Sequence, residues 1–159
     1  MSGNLNHSQA KIIAKLIIDL GHGITPVVGS TTEWQVYSSH EPDSPTNAIT
    51  VYDTAGRQAG RLFNGETQAM NGFQLRIRSD LQTDGRGKIE DIKEAFDKDV
   101  KRAVVHVGES WYVVHSIART TEIIPLGVDS ATRRRTWTLN AVTAIRLYST
   151  TGTGTPVPP

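Results

Sequence analysis

Between Gly72 and Asp80 the chain reads GFQLRIRSD, and its side chains alternate without a break. Phe73, Leu75 and Ile77 fall on one side; Gln74, Arg76 and Arg78 fall on the other. Successive side chains of an extended chain point to opposite faces. A run like this is therefore stable as a strand with one face in a core and the other in water or an interface. The same period of two returns in RRRTWTLNAVTAIRLY, from Arg133 to Tyr148. There Trp137, Leu139, Ala141, Ile145 and Leu147 oppose Thr136, Thr138, Asn140, Arg146 and Tyr148. Shorter alternations occur in EWQVYSS, with Trp34 and Val36 on one face, and in NAITVYDT, where Ile49 and Val51 oppose Thr50 and Tyr52. RAVVHVG and SWYVVHSIART, joined by Gly108-Glu109-Ser110, read as a hairpin. Its strands carry Val105 with Val107 on one face, and Trp111, Val113, His115 and Ile117 on one face.

Two segments change to a helical period. From Ser8 to Leu20, Ile12, Ile13, Leu16, Ile17 and Leu20 form one stripe, with Ser8 as N-cap and Gly21 and Gly23 ending the helix. In TDGRGKIEDIKEAFDKDV, Ile89, Ile92, Ala95 and Phe96 make a narrow stripe, Asp84 is the expected cap, and two glycines weaken the first turn. Between the strands, SSHEPDSPTN reads as a surface loop and AGRQAGRLFNGE as an exposed hairpin or a loop with a short strand. The order helix, strands, helix, strands gives an expected α+β fold, a mixed or antiparallel sheet with two helices packed on one face. Residues 1–150 are expected to form one domain, and 151–159, rich in Gly, Thr and Pro, a flexible tail.

Charge and composition narrow the function classes. Seventeen Lys and Arg nearly balance sixteen Asp and Glu, and a net charge of +1 lacks the broad basic field of a dedicated nucleic-acid binder. With no cysteine there is no disulfide, thiolate metal site or Cys nucleophile. The apolar runs are short of a membrane span, and MSGNLNHSQAK lacks the pattern of a secretory signal. The expectation is a soluble chain assembled in the cytoplasm.

The sequence offers little to a catalytic reading. His7, His22, His40, His106 and His115 make no HxxxH or HExxH pair. His106 and His115, on neighbouring expected strands, lack a nearby carboxylate, and the expected metal and cofactor complement is none. AGRQAGR has neither the GK[ST] of a phosphate loop nor the third glycine of a dinucleotide fingerprint, and there is no GxSxG. Asp53 and Glu66 flank that loop and form the one conceivable acid–base pair, with nothing to support it. No catalytic residue is assigned, and the chain is expected not to be an enzyme.

The arginines remain. At a strand start, Arg133 to Arg135 alternate faces, so at most Arg133 and Arg135 act together. They are candidates for a solvated strand end, for a subunit contact with acids such as Glu122 or Asp129, or for a DNA-facing position. Arg76 and Arg78 share a face and form either an intrachain pair with acids of the second helix or an interface.

Taken in order, ITVYDTAGRQAGRLFNGE, GFQLRIRS, a charged helix, and VVHVGESWYVVHSIARTTEIIPLGVDSATRRRTWTLNAVTAI resemble the minor capsid and tail-terminator proteins of long-tailed bacteriophages. The features that carry the resemblance are the VYDTAGR strand and loop, the QLRIRS strand, and the PLG turn before a last strand rich in Arg, Thr and Asn. The resemblance runs from the first helix to about Ile145 and leaves out the Pro-rich tail. It implies a virion structural protein at the head–tail junction, a homo-oligomeric ring of six that caps the tail tube, stops its polymerisation and meets the head connector or stopper. Duplex DNA passes transiently through such a ring. No membrane and no cofactor are implied. On this reading Arg57, Arg61, Glu66, Arg76, Arg78, Arg133 and Arg135 are candidate subunit or tube contacts, and Arg133 and Arg135 candidate DNA-lumen residues. The loops Ser38 to Asn47 and Thr54 to Gly72 are candidate ring or tube contacts. Alternatives are a head-completion or connector adaptor, a small enzyme with an unrecognised site, and a DNA-binding accessory protein.

Overall fold

Strand alternation dominates the computed structural model, which describes residues 5–29, 32–61 and 67–149. The elements are α1 (Gln9–Asp19), β1 (Gln35–Ser38), β2 (Ala48–Arg61), β3 (Thr67–Ser79), α2 (Gln82–Lys98), β4 (Ala103–Val107), β5 (Ser110–Arg119), β6 (Ile124–Val128) and β7 (Arg135–Ser149). The strands form one sheet in the order β1-β2-β3-β7-β5-β4, with β6 attached to β7 beside β5. β1 runs parallel to β2, and the other pairs are antiparallel.

The expected α+β fold, with two helices packed on one face of a sheet, is overturned. The molecule is mostly β, a curled half-barrel of six strands with two helices. The contacts of α1 show the curl, because this one helix packs against both β1 and β4, the two outer strands of the six. Six strands ~4.8 Å apart in a flat sheet would set the outer two about 24 Å from each other, beyond the reach of one helix ~10 Å wide. Curvature comes from bulges between Thr54 and Arg57 and between Gln58 and Gly60 in β2, and between Val114 and Ser116 in β5. An extra residue on one strand bends it and increases its twist.

Inside the curl lies one core. Ile12, Ile13, Leu16 and Ile17 of α1 and Ile89, Ile92 and Phe96 of α2 meet Ile49, Val51, Phe73, Leu75, Ile77, Trp137 and Leu139 of the central strands. Phe73 and Phe96 pack edge to face with centroids 5.7 Å apart. The Ser8 hydroxyl accepts from the Lys11 N–H at 3.3 Å, and the Asp53 carboxylate of β2 accepts from the Ala10 N–H at 2.9 Å. Two orphan donors of the first turn are thereby satisfied, and a carboxylate stands at the positive end of the helix. Asp53 is thus a helix cap; its expected acid–base partner Glu66 lies outside the described residues.

Several local expectations change. α2 begins at Gln82 with Leu81 as N-cap and no side-chain cap bond, so Asp84 is a first-turn acid rather than the cap. Gly85 at that start is needed for space, because a Cβ there would collide with the Trp137 ring. The segment after Thr54 is continuous strand up to Arg61, and β3 begins at Thr67. Gly56 and Gly72 permit this, since a Cβ on either would strike the backbone of the opposing strand, Met70 and Ala55 respectively. The PLG segment is part of β6, a strand rather than a turn. In β5 the bulge reverses the parity: Tyr112, Val114 and Ile117 reach the core, where Trp111, Val113 and His115 were expected beside Ile117. The expected tail 151–159 lies outside the described residues.

Candidate functional site

The outer, convex face of β2, β3 and β7 is polar because alternation sends every second side chain there. Thr50 pairs with Arg76 and Arg76 with Thr138; Ala48 pairs with Arg78 and Arg78 with Thr136. The segment 39–47 folds back over these rows. The Glu41 carboxylate stands 3.8 Å from Arg76 Nη1 and 3.7 Å from Arg78 Nη1. Arg78 also donates from Nη2 to the Pro45 carbonyl at 2.6 Å and from Nε to the Thr46 carbonyl at 3.3 Å. Arg134 donates to the Asp43 carbonyl and, at 3.5 Å, to the Thr46 hydroxyl. The Ser79 hydroxyl donates to Asn47 Oδ1 at 2.8 Å. Three guanidiniums thus fasten this loop to its own sheet, where the sequence suggested that it reaches a neighbour.

Between the loop and β6 lies a cleft of about 400 Å³, lined by Glu41, Asp43, Arg76, Arg78, Leu126 and Arg134 among others. Its charges are mixed and largely engaged with each other. Burial lowers the Arg78 guanidinium from its ordinary value, with the Glu41 charge opposing that shift. Burial raises the Tyr52 hydroxyl, with Glu41 adding to the effect, and the Arg76 guanidinium lies 5.2 Å from the centre of that ring. Glu41 Oε1 and Arg76 Nε are buried without a hydrogen-bond partner, consistent with ion pairs longer than a hydrogen bond. This arrangement holds a loop; it sets no nucleophile against a base.

The sequence-derived candidates separate. Arg76 and Arg78 share the cleft, but their acid is Glu41 of the loop and not an acid of α2. Arg57 is exposed on β2, opposite Met70. Arg61 is placed only by its backbone register opposite Thr67, and Glu66 lies outside the described residues. Arg133 is exposed in a turn with φ +57°, and β7 starts only at Arg135. Arg135 donates to Gln82 Oε1 at 2.8 Å, at the start of α2. Arg133 thus sits in the turn and Arg135 on the strand, while the middle residue Arg134 takes the role of clamping the loop. Of their expected acids, Asp129 accepts from the Ala131 N–H at 2.8 Å and closes the turn. Glu122 binds Lys93 and Arg119, each at 3.0 Å, in a chain of exposed ion pairs on α2. Glu41 and Arg134 were missed because neither sits in a periodic pattern, and Arg134 reaches the Asp43 carbonyl across 91 residues of chain order only by folding.

The histidines stay apart. His106 stacks on Trp111 with centroids 4.0 Å apart, while His115 lies four register positions away, about 13 Å along the strand. His7 Nδ1 is 2.7 Å from the Tyr112 hydroxyl. Among the described residues no group of three or more His, Cys, Asp or Glu is placed to hold a metal ion. No helix among them is long and apolar enough to cross a membrane.

Among the described residues, exposed large apolar side chains group in two places, with Leu81 exposed apart from them in sequence. Val27 and Val28 form an exposed tip before β1, Val28 fully so. Ile124, Leu126 and Val128 form an exposed strip on β6, the last two each 54% exposed.

No family model matches the chain, and no curated protein does. Among solved structures, a chain from "Virion of native gene transfer agent (GTA) particle" is similar over 70% of this chain and 78% of that one, at 12% identity and a TM-score of 0.46. A likeness at this level assigns neither a family nor a role.

Proposed function

We propose that this chain is a structural protein of a phage-like virion, acting at the head–tail junction as a tail terminator. Copies of it form a ring, of six on the resemblance stated above, that ends the tail tube and meets the head connector, and the protein turns over no substrate. The observation that carries this reading is the placing of its exposed hydrophobics. A chain with a well-filled core still leaves Val27, Val28, Ile124, Leu126 and Val128 in solvent, grouped in two places. Grouped exposed apolar side chains mark contacts with other chains. The cleft, by contrast, is occupied by its own ion pairs. Of the two DNA-lumen candidates, Arg133 is the exposed one and is assigned to the bore; Arg135 is held by Gln82.

Electron microscopy of particles made without this protein tests the reading. A terminator's loss gives abnormally long tails on otherwise normal tubes. Tails of normal length beside filled heads that leak DNA would replace the terminator with a connector adaptor.

A further inference from the structure

We infer that the proline-rich segment Pro156–Pro159 folds back over its own sheet and packs on the stacked rings of His106 and Trp111. The inference stands apart from the proposed function: it concerns a binding surface on the convex face and an occupant from the same chain.

The platform is set by register. His106 of β4 and Trp111 of β5 are partners across the ladder, and their neighbours Val105, Val107 and Tyr112 turn into the core. Both rings therefore stand on the outer face, parallel within 6° and with centroids 4.0 Å apart. Val104 and Val113, the next pair of these strands on that face, extend it with apolar surface.

Two atoms of the platform lack what they need. Trp111 Nε1 and His106 Nε2 are buried, and neither has a hydrogen-bond partner among the described residues. An indole N–H can only donate, and His106 Nε2 donates in the tautomer that carries its proton there. A buried donor left without an acceptor is costly. Flat rings with unmet nitrogens suit a segment that brings proline rings to stack and carbonyl oxygens to accept. A polyproline II strand brings both: its backbone makes no internal hydrogen bonds, and aromatic-lined grooves recognise it.

β7 delivers such a segment to the spot. Its last residue, Ser149, is the register partner of Trp111, so the chain leaves the sheet beside the platform. The stretch 150–159 that follows reads TTGTGTPVPP and lies outside the described residues. Gly152 and Gly154 come first and supply the freedom to reverse direction. Pro156, Pro158 and Pro159 then favour the extended form, and of the four residues from Pro156 only Val157 keeps an N–H, so acceptors outnumber donors. At ~3.1 Å per residue those four span about 12 Å, enough to cover two rings on strands ~4.8 Å apart. The short tether makes the contact intramolecular, with an effective concentration on the order of mM, so a weak intrinsic affinity suffices.

Nuclear magnetic resonance on the whole chain tests this. The chain has three tryptophans, and Trp111→Phe identifies the indole N–H of Trp111 by its loss. In the natural chain, nuclear Overhauser contacts are expected between the Trp111 ring and proline ring protons. The triple variant Pro156→Ser, Pro158→Ser, Pro159→Ser lies outside the elements that build the core, and unchanged indole signals from Trp34 and Trp137 check that it folds. In that variant the ring contacts are expected to vanish and the Trp111 indole N–H to exchange with water several-fold faster. Absence of the contacts in the natural chain overturns the inference, as does an exchange rate that the triple substitution leaves unchanged. Contacts that fade on dilution overturn it too, in favour of a segment donated by a second copy. None of these outcomes bears on the virion reading, which the microscopy of particles decides.

Discussion

Glu41 stands between Arg76 and Arg78 on a sheet face that alternation alone made polar. Removing one partner of a half-buried cluster costs more than the pair contributes, because the remaining guanidinium loses its counter-charge. Arg78, with a side chain only 9% exposed, keeps its two carbonyl acceptors, so the cost stays below that of a fully orphaned charge. Glu41→Ala is expected to destabilise the fold by about 1–3 kcal/mol in urea unfolding, with faster amide exchange confined to 39–47. A second residue-scale expectation concerns pH. Burial, chiefly, lowers His7, His22 and His115 from the ordinary 6.5, with Lys11, Lys88 and Arg102 respectively as nearby cations that add to the effect. Each of the three binds a proton less readily folded than unfolded, so their contribution is intact above pH 6.5 and is lost as pH falls through the lower folded values. Thermal stability is expected to decline between pH 7 and 5 through these groups, and His115→Gln should flatten that decline; a parallel profile in the variant would remove His115 from the account.

At the scale of elements, the two helices are seated by different means. α1 is capped by its own Ser8 and by Asp53 from β2. Asp53→Ala removes a cap acceptor and a charge at the helix N-terminus, and a loss of about 0.5–2 kcal/mol is expected by chemical denaturation. α2 has no side-chain cap and depends on close approach, with Gly85 under Trp137. Propensity alone favours Gly85→Ala by about 1 kcal/mol. The added methyl must displace a buried indole, and overpacking of that kind costs ~1–3 kcal/mol. The steric effect is expected to win, lowering the melting temperature, whereas Gly87→Ala, with open space around it, should raise it. Much of this level was legible: both helix stripes and the core faces of Phe73, Leu75, Ile77, Trp137 and Leu139 follow from period alone. The β5 bulge was not, because one unpaired residue reverses parity without leaving a mark in the alternation.

For the whole molecule, the expected outcome of altering the apolar tip separates assembly from folding. Val28 is fully exposed and makes no contribution to the core, so Val28→Asp should leave unfolding unchanged within ~0.5 kcal/mol. The same variant is expected to be incorporated poorly into particles and to mimic loss of the protein, with long tails, when it is the sole copy supplied. Normal particles built with Val28→Asp would show that the tip is dispensable to assembly. The candidate site was only half legible at this scale. Arg76 and Arg78 were visible as a pair, while their partner Glu41 and the neighbouring clamp Arg134 come from segments far apart in the chain.

By itself the sequence determined that the chain builds strands, which side of each central strand is apolar, where two amphipathic helices lie, and that no thiol chemistry is available. These are local properties, set by the stereochemistry of neighbouring residues and by the need to hide one face of each element from water. Only the tertiary structure decided that the sheet curls into a half-barrel, that Ile124–Val128 is a strand, that 39–47 closes on its own sheet, and which arginine does what. Those outcomes depend on backbone hydrogen bonds and ion pairs between segments tens of residues apart, whose register is fixed only when the core closes around both helices.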